Sequence, residues 1–177
     1  QRVIEATRGA ILARKQDGIP LLMETFRSTD EKMFQLALGT IREFPGDEVD
    51  KTLAAELNSA NPGRAALIVQ AVADRPDTVS LPVVLKAAES GNKQVRLSAI
   101  DALQRVGDHS CLSALLQIAT VEDEELASAA LETVAVLPDK RVDKEIETRL
   151  ANATGREHLA LLKLIGERRI DAVDDVA

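Results

Sequence analysis

Apolar residues along the chain follow two rhythms. The short one is helical. Val95, Ala99, Ala102, Leu103 and Val106 recur at three- and four-residue steps and predict an amphipathic helix over 93–106. The long one is a fixed step that covers a whole structural unit. Leu22, Leu53, Val84, Leu115 and Ile146 are each 31 apart, and so are Phe26, Leu57, Ala88, Ala119 and Leu150. A polar ladder of Asp30, Asn61, Asn92 and Asp123 keeps the same step. The breakers Pro45, Pro76, Gly107 and Pro138 keep it too, and Gly166 follows after 28. Ladders of unrelated chemistry sharing one period indicate tandem repeats.

Each repeat reads as two helices. First helices are expected near 3–14, 31–44, 63–75, 93–106, 125–137 and 156–166. Second helices are expected near 19–28, 47–58, 78–89, 109–120, 140–151 and 169–177. The repeats so defined are 1–28, 29–59, 60–90, 91–121, 122–152 and 153–177, together one domain over 1–177. Asp30, Asn61, Asn92 and Asp123 stand where a side-chain oxygen can accept a bond from an orphan amide of the first turn. Pro62 occupies a first helical position, where its missing N–H costs nothing. Gly107-Asp108, Pro76-Asp77 and Pro138-Asp139 end one helix and cap the next. The shorter interval to Gly166 predicts a final turn at 151–155 that is three residues short. His158 would then align with Ala99.

Val95-Arg96-x-x-Ala99-Ile100-x-Ala102-Leu103-x-x-x-Gly107-Asp108, followed by Leu112-x-x-Leu115-Leu116, resembles a HEAT repeat. The short period resembles the bilin-lyase type of HEAT-like repeat common in bacteria. The segments at 126–137 and 158–165 match less closely, and the first three repeats are degenerate, with Arg64 one register away from the Arg96 slot. The resemblance implies an all-α fold, an α-solenoid in which about six antiparallel helix pairs form a right-handed superhelix. First helices would line the convex face and second helices the concave one. Each repeat would bury its apolar stripe against its neighbours. Ala99, Ala102, Ala129 and Ala130 would let helices approach closely.

Composition sharpens this picture. The chain has 177 residues, 45% hydrophobic and 29% charged, with three Phe and no Tyr or Trp. Helix-favouring residues dominate, which argues against a sandwich or barrel. Lys and Arg number 22 against 29 Asp and Glu, a formal net charge of −7. Nucleic-acid binding normally uses a basic face and stacking aromatics, so this balance disfavours it. A DNA-handling HEAT protein, like the alkylpurine glycosylases, is accordingly the least favoured of the functions the resemblance suggests. No run of 18 apolar residues predicts a membrane span. Cys111 is the single cysteine. It allows no intrachain disulfide, fits a reducing, cytoplasmic setting, and aligns with Val49 and Val142 as a small buried hydrophobe. The chain opens on Gln1 and carries Val3, Ile4, Ile11, Ile170 and Val173 near its ends, as expected of a segment of a longer protein. Some large secreted bacterial proteins carry HEAT segments beside redox domains, so an extracytoplasmic setting is the alternative.

No reactive constellation emerges. His109 and His158 lie in different repeats without a second ligand at metal spacing. The run Glu122-Asp123-Glu124-Glu125 reads as an N-cap with carboxylates opposing the helix dipole, and Asp171, Asp174 and Asp175 as a solvated end. No Gly-rich phosphate loop or nucleophile elbow is present. Neither catalytic residues nor a metal or cofactor are therefore expected. The outward row of the second helices is the better candidate. Two before, two after and five after the Leu22 ladder stand Glu24, Arg27, Lys51, Asn58, Lys86, Glu89, Gln117, Thr120, Lys144 and Thr148, with Pro20, Ala55, Pro82, Ser113 and Ala151 between them. Of these only Arg27 is a residue type that anchors interfaces. The expected function is a non-catalytic protein-binding or scaffolding module. Its partner would be a protein or peptide, including another domain of the same polypeptide. The alternative is an accessory domain of a larger enzyme, bilin-lyase-like or redox.

Overall fold

A computed structural model describes residues 2–44, 46, 48–57, 59–75, 81–120 and 123–170. Among these residues there are α-helices and no strands. The helices are α1 (Arg2–Ala13), α2 (Ile19–Phe26), α3 (Glu31–Glu43), α4 (Glu48–Leu57), α5 (Pro62–Ala73), α6 (Leu81–Glu89), α7 (Lys93–Val106), α8 (Leu112–Ala119), α9 (Glu124–Val136), α10 (Lys140–Leu150) and α11 (Gly155–Arg168). Short 3₁₀ turns precede α2 (Lys15–Gly18) and α8 (His109–Cys111). The second helix expected from 109 therefore begins with a tighter turn.

Contacts gather in two compact units, Gln1–Val84 and Leu85–Ala177. In the first unit α1 packs on α3 and α3 on α5, while α2 lies against α3 and α4 against α5. The second unit repeats the scheme: α7, α9 and α11 pack in succession, α8 lies on α9 and α10 on α11. Within the units α2, α4, α8 and α10 thus each cover the first helix that follows. The fold class is all-α, of the solenoid type built from helix-pair repeats.

The expected caps form wherever they are described. Asp30 accepts from the Lys32 amide, Asn61 from Arg64, Asn92 from Gln94, Asp108 from Ser110 and Asp139 from Arg141, at 2.8–3.0 Å. Asp123 accepts from both Glu125 and Leu126 at 3.2 Å. Lys93 Nζ bridges Asp123 (2.9 Å) and Glu125 (2.7 Å), so the acidic run is a cap with its own counter-ion. Pro45, Pro76, Asp77, Glu122, Val173, Asp171, Asp174 and Asp175 lie outside the described residues.

Acid sensitivity follows from these caps. Hydrogen bonds from Ser110, Lys93 and Arg141 hold the Asp108, Asp123 and Asp139 carboxyls below the ordinary carboxylate range. Depressed folded values mean a contribution fully present above the unfolded value of about 3.9. It is lost as pH falls through the lower folded values. Asn caps as well as Asp and does not titrate. We expect D108N/D123N/D139N to flatten the fall in melting temperature as pH drops below about 3.9. An unchanged slope would contradict the assignment.

The Leu22 ladder is the core seam. Leu22, Leu53, Val84, Leu115 and Ile146 are all fully buried. The Phe26 ladder is less uniform: Phe26 and Ala88 are buried, but Leu57, Ala119 and Leu150 are half-exposed. A first-helix ladder of Ala37, Ile68, Ala99, Ala130 and Leu161 is also fully buried. It keeps the same step through the last repeat, and α11 starts one full period after α9. The shortened final turn expected from Gly166 is therefore incorrect. Gly166 sits inside α11, where a glycine costs about 1 kcal/mol without ending the helix. The stop is Arg169, one full period after Pro138, in the left-handed conformation with φ 52°. His158 consequently aligns with Arg96, not Ala99. The second helix expected over 169–177 falls almost wholly outside the described residues.

A polar signature recurs at a spacing of three periods. Thr40 and Thr133 are both buried, and each hydroxyl donates to the carbonyl one helical turn back, of Leu36 and Ala129. Thr133 also reaches the Ile100 carbonyl at 3.2 Å, so α9 lies close on α7 where Ala99, Ala102 and Ala130 are small. More telling are two Arg–Asp pairs. Arg75 Nε lies 3.3 Å from Asp50, and its other nitrogens donate to the Ile41 and Gly46 carbonyls at 3.4 and 2.5 Å. Arg168 donates to Asp143 at 2.5 Å and to the Val134, Ala135 and Leu137 carbonyls at 2.6–3.2 Å. Each guanidinium caps the carbonyl end of the preceding first helix, where the helix dipole is negative. At the same positions in the other repeats stand Ile19 and Phe44, Leu81 and Val106, and Leu112 and Leu137.

Candidate functional site

Second helices carry their apolar residues on one side, and the residues left over face water. Glu24, Lys51, Lys86, Glu89, Gln117, Lys144 and Thr148 are exposed, as are Arg27 and the interspersed Pro20, Ala55, Pro82, Ser113 and Ala151. Thr120 is half-buried, and its hydroxyl donates to the Gln117 carbonyl at 2.7 Å. Asn58 lies outside the described residues.

In the first unit the row is internally paired. Arg27 Nε and Nη2 both donate to Glu56 Oε2, at 2.9 and 2.7 Å, joining the outer faces of α2 and α4. That bond, more than charge proximity, pushes the Arg27 guanidinium above its ordinary value. Glu56 is only 10% exposed while Arg27 is 63% exposed, so the carboxylate is the anchored partner. Lys51 Nζ meets Glu48 at 2.8 Å.

In the second unit α8 and α10 flank an open cleft of about 440 Å³. Lys144 and Thr148, both expected on the outward row, line it together with Ser113 and His109. So do Arg141 and Arg149, which the outward-row reading omitted because it counted only positions two before, two after and five after the ladder. Arg149 is three after Ile146, half-buried, and reaches back across the cleft to donate to Ser113 Oγ at 2.5 Å. Its Nε donates to Glu145 at 2.7 Å. Arg141 clamps Asp139 through Nε (2.8 Å) and Nη2 (2.6 Å), and His109 Nδ1 stands 3.6 Å from the same carboxylate. The reach of an arginine side chain is the signal that could have placed Arg149 there.

The remaining candidates are structural. Cys111 is fully buried, at the place of Val49 and Val142, and burial pushes its thiol up, away from the reactive thiolate. Phe26 and Phe34 pack with their rings tilted by 58° and centroids 5.1 Å apart, and the Arg64 guanidinium lies 4.3 Å over Phe34. Arg64 also donates to the Phe26 and Ser28 carbonyls at 3.4 and 2.8 Å, and Arg96 to the Ala88 carbonyl at 2.9 Å. Both therefore cap the ends of second helices. Among the described residues no group of three or more His, Cys, Asp or Glu converges as a metal site. No described helix is long and apolar enough to cross a membrane.

A search of curated proteins finds no match. Residues 49–135, from the start of α4 to the end of α9, match the family model described as HEAT repeats, and over that span the chain is similar to HEAT-repeat proteins.

Proposed function

We propose that this chain is a non-catalytic protein-binding or scaffolding module that engages a protein or peptide, or another domain of the same polypeptide, through its second helices. The observation that carries this reading is the exposed polar row standing over a fully buried ladder, repeat after repeat. Such a row is regular, solvated and free of bulky apolar groups, so within each unit it presents a register of hydrogen-bonding side chains to an extended partner. Its short period resembles that of bilin-lyase-type repeats, but the reading draws on surface and fold, not on tetrapyrrole chemistry.

The test is a capture experiment with the full chain against K86E/Q117E, both substitutions being on exposed positions of α6 and α8. Partner recovery should fall several-fold while the circular dichroism spectrum stays unchanged. Equal recovery by the two proteins would remove the second-helix face as the binding surface.

A further inference from the structure

The cleft between α8 and α10 differs in charge from what the rest of the molecule would lead one to expect. The chain has a net charge of −7. Yet Arg141, Lys144 and Arg149 line this cleft against one carboxylate, Glu145. The period supplies an internal control. Shifting by three periods puts Glu48 at the place of Arg141, Lys51 at Lys144, Glu56 at Arg149 and Asp17 at Ser110. The same positions thus hold three carboxylates and one cation in the first unit. The helix-pair architecture accepts either sign, so folding does not demand the positive set.

The polar groups of the cleft are unequally committed. Arg149 is fixed by Ser113 and Glu145, and Arg141 by Asp139. Lys144 is exposed and forms no ion pair among the described residues. Ser113 Oγ accepts from Arg149, which leaves its own hydrogen to donate. Thr148 gives its hydrogen to the Lys144 carbonyl at 2.8 Å. The result is one uncommitted ammonium and one hydroxyl donor, on a floor of guanidinium groups already held in place. Such an arrangement suits singly charged carboxylates spaced along a chain. A compact dianion would meet Glu145 at close range.

We infer that the α8–α10 cleft binds an acidic peptide segment of the partner, with a partner carboxylate seated on Lys144 and Ser113. This rests on the protein-binding reading above and specifies its chemistry. Charge complementarity of this kind raises association rate and specificity and weakens with salt.

The probe is a fluorescein-labelled dodecapeptide of alternating Glu and Ser, titrated by anisotropy against the full chain at low salt. Saturable binding is expected. It should weaken at least tenfold in K144E and several-fold in S113A, and should be unchanged in K51E, the counterpart in the first unit. Raising salt from 25 to 150 mM should weaken it further. No binding at millimolar peptide, or equal binding by K144E, overturns the inference. So does a concentration-dependent dimer that K144E dissolves, since carboxylates of a second copy would then be the occupant. Loss of partner capture in K86E/Q117E with full capture by K144E would overturn the cleft assignment and leave the broader reading standing. Equal capture by all three proteins would remove both.

Discussion

Arg75→Met destabilises the chain by about 3–5 kcal/mol, the usual result of removing one partner of a buried ion pair. The Arg75 side chain is 1% exposed and that of Asp50 6%, so neither charge reaches bulk water. Burial lowers the affinity of the guanidinium for its proton, and the Asp50 charge works against that effect. Arginine nevertheless remains charged. Truncating it removes the buried counter-ion of the Asp50 carboxylate and deprives the Ile41 and Gly46 carbonyls of a donor. The double variant D50L/R75L behaves differently. Leucines already occupy both corresponding places in Leu112 and Leu137, where they are buried. Apolar replacement of a buried pair is often neutral or stabilising, so the double variant should recover to within about 1–2 kcal/mol of the parent. Urea unfolding of the single and double variants measures both. A double variant as unstable as the single one would show that the pair does more than satisfy itself.

Leu115→Ala is expected to cost about 2–5 kcal/mol, through lost transfer energy plus the cavity left behind. Leu115 has no exposed surface, and its ladder neighbours Leu53, Val84 and Ile146 have none either. Leu150→Ala, on the other ladder, should cost under about 2 kcal/mol, because a half-exposed side chain has less area to return to water. The comparison is informative because the sequence pattern treats the two ladders alike. Similar losses at Leu115 and Leu150, read from urea midpoints, would mean that burial does not rank them.

Much of the fold was legible because the repeat constrains the same positions many times over. A single apolar residue is ambiguous, but five at one step are not. The N-caps were legible for a similar reason: Asp30, Asn61, Asn92 and Asp123 form a chemically uniform ladder, and each captures an amide in its first turn. Gly166 misled because glycine breaks helices only on average. The cap ladder, continued from Asp123 to Thr154, marks the start of α11 correctly. The unequal burial of Leu57 and Leu22 was not legible, since periodicity reports which side a residue faces and not how much of that side a neighbour covers.

The candidate site was half legible. Lys144 and Thr148 were found by counting outward from the ladder. Arg141 and Arg149 were not, because their guanidinium groups reach the cleft from positions that the count assigns elsewhere. The Arg–Asp pairs were hidden for a related reason. In one dimension Asp50 and Arg75 are far apart, with a whole helix between them and nothing to connect them. The signal lies in comparison across repeats, where the same two positions are either both apolar or oppositely charged.

That alternation has a consequence for how such arrays can be rearranged. A junction built from Asp50 and Arg75 accepts only a complementary neighbour, whereas one built from Leu112 and Leu137 accepts any greasy face. Recombining modules across unlike junctions would bury a lone charge, but exchanging the Asp50–Arg75 junction with the Asp143–Arg168 one would not. The chain therefore carries two mating types among its modules, and with them a rule for which transpositions and deletions evolution or an engineer can make without unfolding it.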